Sequence, residues 1–299
     1  MVATGDTYPR VRRMDFGFDE SSPANKYFAD NSIMFSHTIA FLSAIFPPGE
    51  DIFVRSVRRY MDRITDPQLK KRVMGFIGQE KVHGNQHREL NEKLTAMGYP
   101  TAWFEYLLES TERMEKFLDK QYPDPDRLAW YRHFFLGFTV AAEHFTATWA
   151  ENILKSPELQ AMAYDPAVKQ LLNWHSLEEL EHKSVAFDVY RFLQVPESTR
   201  IRWMYFAGNF GLPLVVLFSW LSIAVADPEG RRQPLRVLKE TVQMLRNPMW
   251  KGFYSDMRPF YKRDFHPDQI DTTELLEHWQ KKLFGEHGQL VDNLRQPSR

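Results

Sequence analysis

The sequence predicts an all-α protein, and three observations predict it. The pairs Asp66-Pro67 and Asp165-Pro166 each put a capping carboxylate before a proline at the first helical position. Between such signals, apolar residues recur at alternating spacings of three and four, the period of one helix face. No alternating strand pattern of useful length and no low-complexity tract interrupts these stretches.

Taken in order, helices are expected at 25–46, 48–65, 67–97, 101–120, 126–155, 166–194, 200–225, 234–247 and 271–285. In Phe46-Pro47-Pro48-Gly49-Glu50 the two prolines end one helix and begin the next. Glu50 then falls in a first turn, where the helix dipole favours a carboxylate. Gly98 and Pro100 stop the helix begun at Pro67. Pro157 and Pro196 end the stretches 126–155 and 166–194. The seventh helix overlaps the run from Trp203 to Ala226, 24 residues without a charged side chain. Residues 1–22 read as a flexible N-terminal tail and 288–299 as a poorly ordered end. The bundle is expected over 23–196. The C-terminal helices of 197–299, with the apolar segment 203–226, are expected to pack on it or associate with a membrane.

The 299 residues suffice for one large domain or two ordinary ones. With 43% hydrophobic and 26% charged residues, the balance is that of a folded chain. Lys+Arg number 38 against 39 Asp+Glu, which leaves no basic excess for nucleic acid. The chain has no cysteine, so thiolate nucleophiles, disulfides, iron–sulfur clusters and Cys-bound zinc are excluded. A metal must be held by His and carboxylates. Residues 1–22 lack the apolar core of a secretory signal, so a cytoplasmic location is expected.

One inner stripe of the helix from Pro67 reads Val73, Phe76, Glu80, His83, His87, Leu90, Leu94. The helix from Pro166 repeats the pattern with Val168, Leu172, His175, Glu179, His182, Ala186, Val189. Each therefore points one Glu and two His into an apolar core, which is costly unless a partner neutralises them. The helix from 126 carries a single acid, Glu143, on its inner stripe, and Glu50 heads another. The order Glu50, Glu80-x-x-His83, Glu143, Glu179-x-x-His182 is the donor pattern of a dimetal carboxylate helix bundle. A structural polar network is the alternative reading of the same stripes.

On these residues the sequence resembles the ferritin-like family of predicted metal-dependent hydrolases. The resemblance rests on Phe46-Pro-Pro-Gly-Glu50, Phe76-Ile-Gly-Gln-Glu80-x-x-His83-x-x-x-His87, Ala142-Glu143-His144 and His175-x-x-Glu178-Glu179-x-Glu181-His182-Lys183. It spans roughly residues 30–225 and implies a ferritin-like four-helix bundle with a dinuclear site and additional C-terminal helices. Glu80 and Glu179 are expected to bridge or chelate, His83 and His182 to serve one metal each, and Glu50 and Glu143 to complete the halves. His87 and His175 are further candidate ligands, or partners that orient a carboxylate. His144 is expected at a helix interface or behind a ligand, His133 in the core, and Glu178 and Glu181 in solvent or behind a ligand.

Imidazole and carboxylate donors suit iron first, with manganese and zinc as alternatives, and two ions are expected. The leading expectation is a di-iron oxidase or oxygenase that uses O2 and an electron donor on a small hydrophobic substrate. Its apolar surroundings would come from Phe53, Phe76, Leu136, Val140, Leu172 and Val189. The alternative is a metal-dependent hydrolase acting on an ester or amide. A third class, metal handling without an organic substrate, needs no C-terminal helices. Segment 203–226 is long enough to cross a bilayer, which takes about 20 residues. Gly208, Asn209, Gly211 and Pro213 interrupt it, and arginines flank both ends. Packing on the bundle, a homodimer interface or a membrane surface is therefore expected ahead of a span.

Overall fold

The capping acids act as their positions suggest: Asp66 accepts from the backbone of Gln68, and Asp165 from Ala167 and Val168. The computed structural model describes residues 8–18, 22–124, 126–250 and 252–295. Its helices are α1 (Ile33–Arg58), α2 (Pro67–Ala96), α3 (Thr101–Gln121), α4 (Ala129–Lys155), α5 (Pro157–Ala161) and α6 (Pro166–His182). They continue with α7 (Val185–Phe192), α8 (Glu197–Ala226), α9 (Pro228–Arg232), α10 (Pro234–Leu245), α11 (Phe253–Met257) and α12 (Thr273–Phe284). Among the described residues there is no strand, only two isolated bridges. The fold is all-α.

α1 packs on α2 and α4 on α6, and contacts of α1 with α4 and of α2 with α6 close a four-helix bundle. α3, α8 and α10 lie on α1, and α8 also covers α4. The prolines at 47 and 48 do not separate two helices as expected; α1 runs through both. Pro47 has no N–H for the carbonyl of Ser43, and Asn91 Nδ2 in α2 donates to that carbonyl at 3.0 Å. A tertiary bond thus replaces the missing helical one. Gly84 faces Pro47. A Cβ there would lie 3.7 Å from Pro47 Cα and 3.0 Å from a Glu50 oxygen, so any larger residue would crowd the Glu50 carboxylate.

The expected helix 166–194 is likewise two, α6 and α7. The break falls at Lys183-Ser184, whose side chains have partners outside the helix. Lys183 Nζ donates to Ile270 O at 2.6 Å, and Arg72 donates to Ser184 Oγ at 2.7 Å. The described part of the expected flexible N-terminal tail, residues 8–18, packs on the bundle with Met14 and Phe16 buried. Residues 1–7 and 19–21 lie outside the described residues. The C-terminal end also differs from expectation: Leu290 is buried, and Asp15 N donates to Asn293 O at 2.9 Å. Residues 296–299 are outside the description.

A buried polar cluster ties α8 to α1. His37 Nδ1 lies 2.7 Å from Ser222 Oγ, and His37 Nε2 lies 3.1 Å from Asp227 Oδ2. Thr38 Oγ1 lies 3.0 Å from Ser219 Oγ, and Tyr27 donates to Asp227. Burial lowers the His37 pKa to about 4, outweighing the support Asp227 gives to the charged form. An unfolded histidine titrates near 6.5, so between pH 6.5 and about 4 the unfolded chain binds the extra proton. Stability from this group is fully present above pH 6.5 and is lost as pH falls through that window. Urea unfolding at a series of pH values tests this. The wild-type advantage over His37→Gln should shrink by about 1.4 kcal/mol per pH unit below 6.5. Parallel stability curves for the two proteins would contradict the assignment.

Candidate metal centre

Helical spacing brings the expected donors to one place. α1 supplies Glu50, α2 supplies Glu80 and His83, α4 supplies Glu143, and α6 supplies His175, Glu179 and His182. All seven are buried. Their ligand atoms fall into three overlapping groups, each within 4.8 Å: Glu50/His83/His175, Glu80/His83/Glu179 and Glu80/Glu143/His182. Glu80 and His83 belong to two groups apiece, as donors lying between two cations would.

Hydrogen bonds behind the histidines fix which nitrogen faces inward. Gln79 Nε2 donates to Glu181 Oε2 at 2.8 Å, so its carbonyl oxygen accepts from His182 Nδ1 at 3.0 Å. His182 Nε2 is then the inward lone-pair atom, 3.0 Å from Glu80 Oε1 and 3.5 Å from Glu143 and Glu179. His83 Nε2 lies 3.1 Å from Glu178 Oε2, which leaves Nδ1 for the centre. Arg12 donates to the other Glu178 oxygen at 2.8 Å and to Glu181 at 2.7 Å.

A third relay runs through the other two histidines, His87 and His175. Asn91 spends its Nδ2 on Ser43 O and Glu105, so its oxygen accepts from Ser43 Oγ at 2.7 Å. Ser43 Oγ must accept from His87 Nδ1 at 2.9 Å, and His87 Nε2 must accept from His175 Nδ1 at 2.8 Å. His175 Nε2 then points into the centre, 2.9 Å from Glu179 Oε1 and 3.8 Å from Glu50 Oε1. There it donates to Glu179 when protonated and offers its lone pair to a cation when neutral. His87 therefore stands behind His175 and orients it.

The donor set fits metal by a second observation. Both oxygens of Glu50, Glu80 and Glu143, with His83 Nδ1 and His182 Nε2, are buried without a hydrogen-bond partner. Buried polar atoms in folded proteins are paired with few exceptions, and eight unpaired ones meet here, although others, such as Tyr60 Oη and Arg59 Nη1, lie elsewhere. Burial pushes the Glu50, Glu80 and Glu143 carboxyls well above the usual carboxylate range, and neighbouring glutamates push the same way. Burial likewise lowers His83 and His87, with His175 adding to the effect. A divalent cation reverses the first cost by neutralising the carboxylates, and it takes the imidazoles in their uncharged form.

Aromatic rings close the site. Phe76 meets His182 edge-on at 5.0 Å, Trp174 meets His83 at 4.8 Å, and Phe46 packs on both His87 and His175. Phe53, Leu136, Val140 and Val189 are buried as expected, while Leu172 is only partly buried. His144 lies in a helix interface, stacked on Phe260 at 4.9 Å. His133 is half-exposed rather than in the core, because the first turns of α4 face outward near Asp126 and Arg63. Glu178 and Glu181 lie behind the histidines, and burial raises Glu178 to about 8 against the opposing charge of Arg12. Sequence reasoning missed Arg12, Ser43, Gln79, Asn91 and Thr146, which donates to Glu179. Of these, only Gln79 stood inside a quoted motif, one residue before Glu80.

The family described as predicted metal-dependent hydrolases matches over residues 10–271. No match was found among the curated proteins or the solved structures.

Substitution tests the centre. His83→Ala, His182→Ala and Glu143→Ala should each leave a folded bundle while cutting bound metal to less than half, read by elemental analysis. Gln79→Leu removes no donor, and should weaken metal affinity by about 10- to 100-fold through loss of His182 orientation. Full metal occupancy in all four would remove these residues from the site.

Proposed function

The chain belongs to the family of predicted metal-dependent hydrolases, and from that premise we propose a dinuclear metal-dependent hydrolase that cleaves an ester or amide of a small apolar substrate. The observation that carries the reading is the convergence of unpaired donor atoms from four helices on one buried point. Two divalent ions, when bound, supply Lewis acidity and a water of lowered pKa. Four glutamates, Glu50, Glu80, Glu143 and Glu179, offset the four positive charges. Gln79, Glu178 and His87 hold His182, His83 and His175 in the tautomers that binding requires. Phe46, Phe76 and Trp174 keep bulk water away from the donors.

An apolar cavity of about 70 Å³ adjoins the centre on the His87 side. Ile39, Leu42, Phe46, Leu90 and Trp149 line it, and Gln160, Lys169 and Asn173 give it a polar flank. An apolar substrate group fits such a lining.

The same cavity favours a second reading, O2 activation by a di-iron form of the centre, with an electron donor to return the ions to the ferrous state. A small, dry, apolar space beside redox-active ions suits O2 and an unactivated carbon substrate. The sequence by itself ranks this reading first. Family membership supports hydrolysis instead.

Reconstitution separates them. The protein loaded with Zn(II) should cleave generic esters such as p-nitrophenyl acyl esters with no dependence on O2. Oxygen uptake by the Fe(II) protein, with no ester or amide cleavage under either metal, would overturn the hydrolase in favour of the oxidase.

A further inference from the structure

α8 is apolar on both of its sides, and the bundle uses only one. Ser219 faces α1, Phe218 turns to Phe104 of α3 at 6.0 Å, and Trp220 Nε1 donates to Thr241 of α10 at 3.1 Å. α8 therefore packs on α1 and α4, with single side chains reaching α3 and α10, and its far side faces outward. That side shows Phe206, Phe210 and Leu217, the last 58% exposed. α10 repeats the arrangement. Val237, Thr241 and Met244 are buried, whereas Leu235, Leu238 and Val242 form an outward stripe on which Leu235 is 81% exposed. Exposed apolar stripes of this kind on a folded protein mark an interaction site.

Charge indicates the occupant. Arg202, Arg232, Lys239 and Arg246 are exposed around this surface. The acids of the same region are largely engaged. Asp227 is buried against His37, Tyr27 and Lys26, and Glu240 bonds Arg236 and Ser32. Apolar and aromatic residues bordered by Arg and Lys are the composition of a helix lying in an anionic membrane interface. A second copy across a two-fold axis would set this basic border against itself.

We infer that the outward face of α8 and α10 docks on an anionic lipid surface, with both helices in the interfacial plane. α8 does not cross the bilayer. Its inner side is fixed by the bonds of Ser219 and Ser222 to α1, and Trp203 Nε1 donates to Phe134 O in α4 at 2.8 Å. A span would place those polar groups in hydrocarbon.

The test uses the full chain with vesicles of phosphatidylcholine alone, or of phosphatidylcholine with a minority of phosphatidylglycerol, read by flotation. Binding to the anionic vesicles should exceed binding to neutral ones by about tenfold or more, and should weaken as salt rises. Leu217→Glu and Leu238→Glu should abolish flotation with melting temperature unchanged. Lys239→Gln should weaken it by about fivefold. An alkaline carbonate wash should release the bound protein. Failure to bind either vesicle would overturn the proposal, as would a dimer in light scattering that Leu217→Glu converts to monomer. Retention through the carbonate wash would overturn the in-plane placement.

Discussion

Carboxylates and imidazoles cannot share a dry core on their own. Each unpaired carboxylate taken from water costs several kcal/mol, and like charges at hydrogen-bond range add to that cost. Glu50, Glu80, Glu143 and Glu179 meet this difficulty together, at one level of the bundle and beyond the reach of solvent. The surrounding protein makes no attempt to satisfy three of them with hydrogen bonds. It spends its polar groups one layer further out, where Gln79, Glu178 and His87 fix imidazole tautomers. A core arranged to expose lone pairs inward is suited to cations at its centre.

Much of the architecture follows from that requirement. α1 must carry Glu50 inward past two prolines, and Asn91 takes the carbonyl that Pro47 leaves free. The same Asn91, through its oxygen, starts the relay that ends at the His175 lone pair. One side chain thus couples the course of α1 to the protonation pattern of the centre. Gly84 leaves the Glu50 carboxylate uncrowded where α2 passes it. From outside the bundle, Arg12 braces Glu178 and Glu181 at once, so the N-terminal stretch belongs to the centre's support.

The parts legible in the sequence were those a single helix can encode. Glu80-x-x-His83 and Glu179-x-x-His182 fall on inner stripes because the helical period alone decides which residues share a face. Glu50 reaches the cluster although the expected helix break at Pro47-Pro48 is absent, since it lies on the inner side of α1 either way. Pro47-Pro48 reads locally as a stop, and the donor that replaces the N–H missing at Pro47 comes from another helix. Arg12 was invisible because its partners stand 166 and 169 residues away. The roles of His87 and His175 depend on where Ser43 sends its proton, and no spacing rule reports that. Periodicity puts His133 in the core, but its side of the first turn of α4 is only half-buried, near Asp126 and Arg63.

The central claim is that two cations lie among these donors, and anomalous diffraction locates them most directly. Crystals of protein purified without chelator, with data collected on either side of the iron, manganese and zinc absorption edges, should show two peaks per chain. They should lie about 3.5–4 Å apart, the separation of paired catalytic metals. One should be within bonding distance of Glu80, Glu143 and His182, and the other of Glu50, Glu179 and His175 or His83. Well-ordered crystals with a fully defined cluster and no anomalous peak among these residues, even after soaking in each metal, would contradict the account.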